Sequence, residues 1–418
     1  MAPILIQIHR SFNLPSISAR SPTRYSPIRC SPRRISCQNL PPTVRTVTIS
    51  YSDLRDREKD LSKKIEEGLG PNGLGIISIS DKKRLREEVG NLLLSAKAME
   101  RNDVGLVLLI PQFPVFRTNL LYLAPRLANL PDDVKKELED PDSRYSFGWS
   151  HGKEMIESGK LDTHKGSFYA NPILDTPTTD VALMLRYPSY CRPNKWPTTS
   201  LPELEEAFKA LGNLMFEVGL MLAHHCDQYV LKGKRMHENE RLEQILKRSR
   251  CHKGRLLYYF PMQPSESRKD TGSLSSWCGW HTDFGSLTGL TCGLFTRNSV
   301  KIPCPDDAAG LYVQTRKNQV VKVIFQENEL AYQIGETSEI LSRGRLCATP
   351  HCVQAPDGEN AFGVERSTFA MFMQPDWDEN LRFPEEIHRH QELIPPNGTL
   401  TFGEYSETLI NKYYHQLT

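Results

Sequence analysis

Acidic residues are missing from the first 52 positions, although Asp and Glu together number 50 in the chain. The opening Ile4–Ile6 is too short for the apolar core of a secretory signal. An acid-free start rich in Arg, Ser and Pro is typical of organelle transit peptides and favours a plastid over a mitochondrion. We therefore predict a plastid transit peptide at 1–45; the alternative is a disordered basic tail on a cytoplasmic protein. The arginines of this stretch are Arg10, Arg20, Arg24, Arg29, Arg33, Arg34 and Arg45.

Three further absences narrow the class of protein. The formal net charge is only +2, which argues against nucleic acid as the main partner. No run approaches the roughly 18 apolar residues of a membrane span, so none is predicted. The cysteines form no Cys-X-X-Cys pair, which disfavours a zinc ribbon or a redox dithiol. The partner that remains is a small-molecule substrate, and the sequence does not set the oligomeric state.

One short stretch, Trp280–Gly285, carries the most specific chemistry. His281 and Asp283 are two residues apart, so on a β-strand their side chains leave from one face. On a helix they would diverge by about 200°. Two histidines and one carboxylate on one triangular face leave positions open on a metal, as in non-haem Fe(II) oxygenases. By itself such a triplet is more often a solvated turn or a core histidine, so other residues have to support the metal hypothesis.

Further strand-like runs supply these residues. His351 lies in the apolar run 346–353, and 332–336 reads as a strand that ends in a glycine turn. Arg366 and Thr368 share one face of the strand predicted at 366–372, where a guanidinium and a hydroxyl can bind a carboxylate. The consecutive His224 and His225 are expected on a helix, where neighbours point about 100° apart and do not converge on a metal.

In this order the residues resemble the plant 2-oxoglutarate/Fe(II)-dependent dioxygenase superfamily, the clavaminate-synthase-like and isopenicillin-N-synthase-like enzymes. The resemblance runs from about Val47 to the C-terminus and is sharpest from Arg255 to Pro375. It implies an Fe(II) centre and a site for the far carboxylate of 2-oxoglutarate. The matched positions are His281, Asp283 and His351 for the metal, and Arg366, Thr368 and Tyr259 for 2-oxoglutarate.

The resemblance also implies a reaction. A small organic metabolite would be hydroxylated, desaturated or demethylated with O2, while 2-oxoglutarate is converted to succinate and CO2; ascorbate is a candidate reductant. Two alternatives stay open, an oxygenase or oxidase of the same fold that does not use 2-oxoglutarate, and a catalytically inactive ligand-binding protein. A zinc hydrolase is a more distant alternative, because it leaves the arginine unexplained.

The sequence departs from the family pattern at three points. Leu257 stands where the family often has Asn, and Thr368 stands where Ser is usual, which keeps the hydroxyl. The interval between His351 and Arg366 is longer than usual. The turn signal at 356–358 suggests a longer hairpin tip, which would leave both strand ends in place.

The fold class we predict is mainly β with flanking helices, a double-stranded β-helix (jelly roll) with an N-terminal helical buttress. A single domain, 46–418, would comprise a helix-rich part at 46–250, a jelly-roll core at 251–376 and a C-terminal helical tail at 377–418. A capping box at Ser200 should open a long helix at about 202–230. Shorter predictions are helices at 81–100, 120–139 and 404–415, an insertion of unknown role at 102–119, and a solvated face that includes His388 and His390.

Substrate specificity needs residues beyond the metal site. The stretch Tyr145–Asn171 is rich in aromatic residues and glycines, a composition that often lines small-molecule pockets. The alternative is that its aromatic side chains cover the outside of the sheet. We expect Trp149 and Tyr169 to position the substrate. The sequence does not identify that substrate.

Overall fold

The computed structural model describes residues 40–80, 110, 112–154, 161–232, 237–262, 276–384, 387, 393–395 and 399–414. Within these residues the chain forms seventeen strands and ten α-helices, besides three short 3-10 helices. The strands are β1 Thr43–Arg45, β2 Val47–Ser50, β3 Ile76–Ser80, β4 Gly148–His151, β5 Lys165–Ala170, β6 Lys253–Tyr259, β7 Ser276–His281, β8 Leu287–Thr291, β9 Leu294–Arg297, β10 Val300–Ile302, β11 Gly310–Gln314, β12 Val320–Ile324, β13 Leu330–Ile334, β14 His351–Gln354, β15 Glu365–Met373, β16 Asn380–Arg382 and β17 Thr399–Thr401. The helices are α1 Tyr51–Arg55, α2 Ser62–Leu69, α3 Phe113–Ala128, α4 Asp132–Leu138, α5 Val181–Arg186, α6 Pro188–Cys191, α7 Glu203–Leu231, α8 Leu242–Arg248, α9 Glu336–Leu341 and α10 Phe402–Tyr414.

Two sheets face each other, with a small apolar core between them. The large sheet has the order β2-β3-β13-β8-β15-β6-β5-β4, with β9 beside β15 and β10 beside β9. The small sheet has the order β1-β12-β11-β14-β7. Apolar side chains fill the space between them, with Ile76 and Ala331 from the large sheet against Val313 and Val321 from the small one. The predicted fold class, mainly β with a helical buttress, is confirmed.

Helix α7 covers the outer face of the large sheet. It begins at Glu203, and the predicted capping box is not used, since Pro202 occupies the cap position without a side-chain hydrogen bond. Its stripe meets the sheet closely: a Cβ on Gly254 would lie 2.6 Å from Phe208 Cζ. None of the described helices has the length and apolar character to cross a membrane. The side chains of the stripe, all fully buried, are Leu204, Phe208, Leu211, Met215, Val218 and Leu222.

The N-terminal part does more than support the sheet with helices. β2 and β3 form one edge of the large sheet, and β5 and β4 form the other. β1 pairs in parallel with β12 of the small sheet, so ordered pairing begins at Thr43, ahead of the expected boundary at residue 46. Strands from the first half of the chain therefore complete both sheets.

Several predicted boundaries change in the structure. The run 346–353 becomes a strand only from His351, and α3 begins at Phe113, inside the stretch set aside as an insertion. The hairpin predicted between His351 and Arg366 is wrong, because β14 lies in the small sheet and β15 in the large one. The long interval is a crossover between sheets. The helix predicted at 81–100, positions 102–109 of the stretch set aside as an insertion, and His388 and His390 lie outside the described residues.

The prediction that Trp149 lines a substrate pocket is wrong. Trp149 lies opposite Phe168 in the register of β4 and β5 and is 3% exposed. Its indole sits over Gly166, where a Cβ would come within 2.3 Å of Trp149 Cη2. Strand alternation turns this side chain toward the helix-covered face, whereas Tyr169, next to Phe168, points to the interior between the sheets.

Trp149→Ala should lower the free energy of unfolding by about 3–5 kcal/mol, because it leaves a cavity in a closed core. Gly166→Ala should cost roughly 1–3 kcal/mol through overpacking. In a double-mutant cycle measured by urea unfolding, the Gly166→Ala penalty should shrink once the indole is gone. Tyr122→Ala, at a side chain that is 36% exposed, is the control and should stay within about 0.5 kcal/mol of wild type. Additive effects of Trp149→Ala and Gly166→Ala would contradict the packing described here.

Candidate metal centre and co-substrate site

The pairing of β7 with β14 brings two distant histidines together. In this antiparallel register His351 lies directly opposite His281, and the two rings are 4.2 Å apart between centroids. Between His281 and Cys278, three residue steps on β7 face two on β14, so the ladder contains a bulge beside the site. Bulges re-aim side chains and occur next to active sites.

Asp283 completes a cluster of three candidate ligands. Its Oδ1 lies 3.7 Å from His281 Nε2 and 3.8 Å from His351 Nε2. One ligand atom from each residue falls within 4.8 Å of the others, and no other such group occurs among the described residues. The prediction that His281 and Asp283 share a strand is half right: β7 ends at His281 and Asp283 follows it in an irregular segment. An extended course after the strand is enough to let the two side chains converge.

The carboxylate is held from behind, so that one oxygen faces the histidines. Thr288 Oγ1 donates to Asp283 Oδ2 at 2.6 Å, and the Glu336 backbone N–H donates to the Asp283 carbonyl at 2.8 Å. Gly335 permits this approach, because a Cβ there would lie 2.9 Å from the Asp283 carbonyl oxygen. Oδ1 is therefore presented as a single ligand oxygen.

A buried carboxylate ties this segment to the C-terminal helix. Thr282 Oγ1 donates to Glu336 Oε1 at 2.6 Å, and the Tyr405 hydroxyl of α10 donates to Glu336 Oε2, also at 2.6 Å. Glu336 is 3% exposed, so both contacts are shielded from water. Thr282, which lies between the two ligands His281 and Asp283, is thus bonded to Glu336 of α9, and Glu336 is in turn bonded to α10.

The outer nitrogens of both rings already have partners. His281 Nδ1 lies 2.8 Å from the Gly279 carbonyl oxygen and 3.7 Å from Cys278 Sγ. His351 Nδ1 lies 2.7 Å from Gln333 Nε2 and 3.2 Å from the Thr349 carbonyl oxygen. A hydrogen bond that Nδ1–H donates, as to the Gly279 or Thr349 carbonyl, fixes the tautomer that leaves the Nε2 lone pair free. Both Nε2 atoms face Asp283, which is the arrangement that a metal requires.

Burial and neighbouring charge act differently on the two rings. Burial lowers the pKa of His351 to about 4, the His281 ring acts in the same direction, and Asp283 opposes them. Burial also acts to lower the pKa of His281, but Cys278 and Asp283 outweigh it and raise that pKa to about 10. At neutral pH the His351 lone pair is available, whereas at His281 a proton competes with a cation.

Arg366 lies in an aromatic enclosure. Its guanidinium carbon is 5.1 Å from the ring centroids of both Tyr259 and Trp277 and 6.0 Å from that of Phe295. Backbone crowds it as well, since a Cβ on Gly293 would lie 2.5 Å from Arg366 Nε. Arg366 Nη1 is buried and has no hydrogen-bond partner among the described residues. A buried donor without an acceptor is costly, and an anionic oxygen would satisfy it.

The other two residues predicted to bind 2-oxoglutarate differ in readiness. Tyr259 lies opposite Arg366 in the β6–β15 register, and burial raises its pKa, which keeps the phenol neutral and able to donate. Thr368 Oγ1 donates to the Thr291 carbonyl at 3.1 Å. Its hydroxyl can accept from a ligand as it stands, but it must rotate to donate to a carboxylate.

A network of charges lies near Tyr259 and Tyr169. Arg255 Nη2 donates to Glu154 Oε1 at 2.6 Å, and Lys165 Nζ lies 2.9 Å from Glu154 Oε2. The Tyr169 hydroxyl donates to the same carboxylate at 3.2 Å, and Arg255 lies over its ring at 4.9 Å. Despite burial, the two cations hold the Glu154 pKa at about 2, so its carboxylate is charged. Tyr169 is thus a polar group of the interior, and its expected role in positioning the substrate stays a prediction.

Two contributors were missed by the sequence reasoning. Trp277 was not singled out, although it stands four residues before His281 and stacks on Tyr259 at 4.6 Å. Gln333 was read only as part of a strand. Strand alternation gives a signal for it, because Gln333 shares a face with Ala331, which lies in the core between the sheets.

Comparison with known proteins agrees with this architecture. No known protein-family profile matches the chain. The 2-oxoglutarate-dependent dioxygenase htyE of Aspergillus rugulosus is 26% identical over 167 residues, which is 38% of this chain. That match spans only 45% of the relative, less than half of its length.

Solved structures are similar over most of the chain. A full-length Neurospora crassa protein in complex with alpha-KG superposes with a TM-score of 0.57 at 16% identity, covering 87% of this chain and 95% of that one. JOX2 in complex with 2OG, Fe and JA gives a TM-score of 0.52 at 17% identity, covering 90% of this chain and 88% of that one. At these identities the likeness establishes a fold shared with these two proteins.

Proposed function

We propose that the chain is a non-haem Fe(II), 2-oxoglutarate-dependent dioxygenase that hydroxylates, desaturates or demethylates a small organic metabolite. The observation that carries the proposal is the pairing of two features. One is the cluster of His281, Asp283 and His351, in which three ligand atoms lie close together and the remaining polar side-chain atoms have hydrogen-bond contacts of their own. The other is the buried Arg366 Nη1 that lacks an acceptor.

The donor set fits Fe(II). Two imidazole nitrogens and one carboxylate oxygen leave positions open for small ligands, the arrangement typical of non-haem Fe(II) oxygenases. When bound, Fe(II) with 2-oxoglutarate supplies O2 activation coupled to release of succinate and CO2. Ascorbate would serve as a reductant. His351 and Asp283 side chains are 8% and 10% exposed and His281 is 30% exposed, so the site is closed on one side and open on the other.

The chain's own residues would bind and orient the co-substrate. Arg366 would donate a hydrogen bond from Nη1–H to the far carboxylate of 2-oxoglutarate, and the Tyr259 hydroxyl would donate one to the same group. The surrounding rings exclude water, which strengthens a charge-assisted hydrogen bond. Leu257 offers no polar group where the family often has Asn. Arg366 therefore carries most of the recognition.

The alternative functions differ in what they leave unexplained. An oxidase of the same fold without 2-oxoglutarate would leave Arg366 Nη1 without an acceptor. A ligand-binding protein without a metal gains no stability from bringing two histidines and a carboxylate together inside the molecule. A zinc hydrolase accounts for the three ligands but not for the arginine.

We also propose that residues 1–45 direct the protein to plastids, and that 46–418 is one catalytic domain, whose small sheet is extended by β1 at Thr43–Arg45. The support is the acid-free composition of the first 52 residues. A fusion of residues 1–52 to a fluorescent reporter should accumulate in plastids. A variant fusion with Arg24, Arg29, Arg33 and Arg34 changed to Glu should remain outside, because added acidic charge removes the defining composition. Cytosolic fluorescence of the unaltered fusion would make the segment a plain basic tail.

Arg366→Leu should raise the KM for 2-oxoglutarate about 30- to 1000-fold, because truncating one partner of a buried charge pair costs roughly 2–4 kcal/mol. The measurement is O2-dependent formation of succinate from 2-oxoglutarate without added substrate. Arg382→Leu, at an exposed arginine of β16, is the matched control and should leave KM unchanged. If purified protein reconstituted with Fe(II) forms no succinate, or if Arg366→Leu keeps the wild-type KM, the proposed co-substrate role is wrong.

A further inference from the structure

Gln333 connects the two sheets at the candidate metal centre. It lies on β13 of the large sheet, is fully buried, and its amide nitrogen is 2.7 Å from His351 Nδ1 on β14 of the small sheet. Its Oε1 is buried and has no hydrogen-bond partner among the described residues. A buried side-chain oxygen without a hydrogen-bond donor is costly and uncommon in folded proteins.

The tautomer of the His351 ring decides which atom of the Gln333 amide can form a hydrogen bond with Nδ1. If His351 Nε2 gives its lone pair to a cation, Nδ1 carries the ring hydrogen and has to donate it. An amide nitrogen is a donor and cannot receive that hydrogen. The Thr349 carbonyl, at 3.2 Å, is one acceptor within reach. Rotating the Gln333 amide by half a turn about its last side-chain bond exchanges Oε1 and Nε2. Oε1 then stands where Nε2 stands now, closer to His351 Nδ1 than the Thr349 carbonyl is.

We propose that Gln333 is a positioning residue for His351, which presents Oε1 to Nδ1–H whenever Nε2 of that ring coordinates the metal. The proposal rests on the metal centre proposed above. The amide then fixes the plane of the imidazole from the opposite sheet, with the hydrogen bond running from Nδ1–H to Oε1, the direction that a metal-bound imidazole requires. Replacing a residue that hydrogen-bonds to a metal ligand typically lowers metal affinity 10- to 100-fold.

Co(II), added to metal-free protein and followed by visible absorption, measures this role without turnover. Gln333→Met keeps the volume and removes the acceptor, so the Co(II) dissociation constant should rise about 10- to 100-fold. Gln333→Asn keeps the amide but shortens its reach and should weaken binding in the same way. Gln333→Glu supplies an acceptor at the same length and should bind at least as tightly as wild type.

A matched control exists on β14. Gln354 is also buried, its Oε1 likewise has no partner among the described residues, and its amide nitrogen contacts Cys352 rather than His351. Gln354→Met should therefore leave Co(II) affinity unchanged. Thermal unfolding of each metal-free variant separates a loss of affinity from a loss of fold.

The outcomes distinguish this proposal from the one it rests on. Wild-type affinity in both Gln333→Met and Gln333→Asn would overturn the role of Gln333. Binding by Gln333→Glu as weak as by Gln333→Met would show that an acceptor is not what the site requires, which also overturns it. If His281→Ala and His351→Ala bind Co(II) as wild type does, the metal centre itself is misplaced and both proposals fall.

Discussion

The antiparallel pairing of β7 with β14 is the constraint on which the site depends. It joins segments about 70 positions apart and sets His351 opposite His281. A shift of one residue would turn one histidine to the other face of the sheet and separate the ligand atoms. On its other side β14 is held by its pairing with β11, while β7 forms the edge of the sheet and carries the bulge between Cys278 and His281.

The large sheet supplies what the small sheet lacks. Thr288, Gln333 and Arg366 reach inward from β8, β13 and β15 and provide the contact to Asp283, the contact to His351 and the buried guanidinium. These strands pack against α7 through a continuous apolar core. The helix thus has an indirect role, because it rigidifies the strands that aim polar groups at the site. When packing holds the residues that hydrogen-bond to metal ligands, the geometry of those ligands is preserved.

The sequence was sufficient for the parts of the site that depend on residue type and local alternation. The convergence of His281 with Asp283, the strand of Arg366 and the long helix each follow from a pattern within one segment of the chain. The prediction for Trp149 was wrong because strand alternation indicates which side chains share a face but not which face the helices cover. Gln333 was missed because its partner, His351, is reached only through the packing of two sheets. The crossover between β14 and β15 was mistaken for a hairpin for the same reason: chain proximity does not establish strand pairing.

The most direct test of the account needs no substrate. Fe(II) and 2-oxoglutarate are added under anaerobic conditions to the purified protein, and the visible spectrum is recorded. The account predicts a charge-transfer band that requires both additions and that is absent from folded His351→Ala and Asp283→Ala proteins. A folded wild-type protein that shows no band with both additions, or a band that persists in both variants, would contradict the central claim.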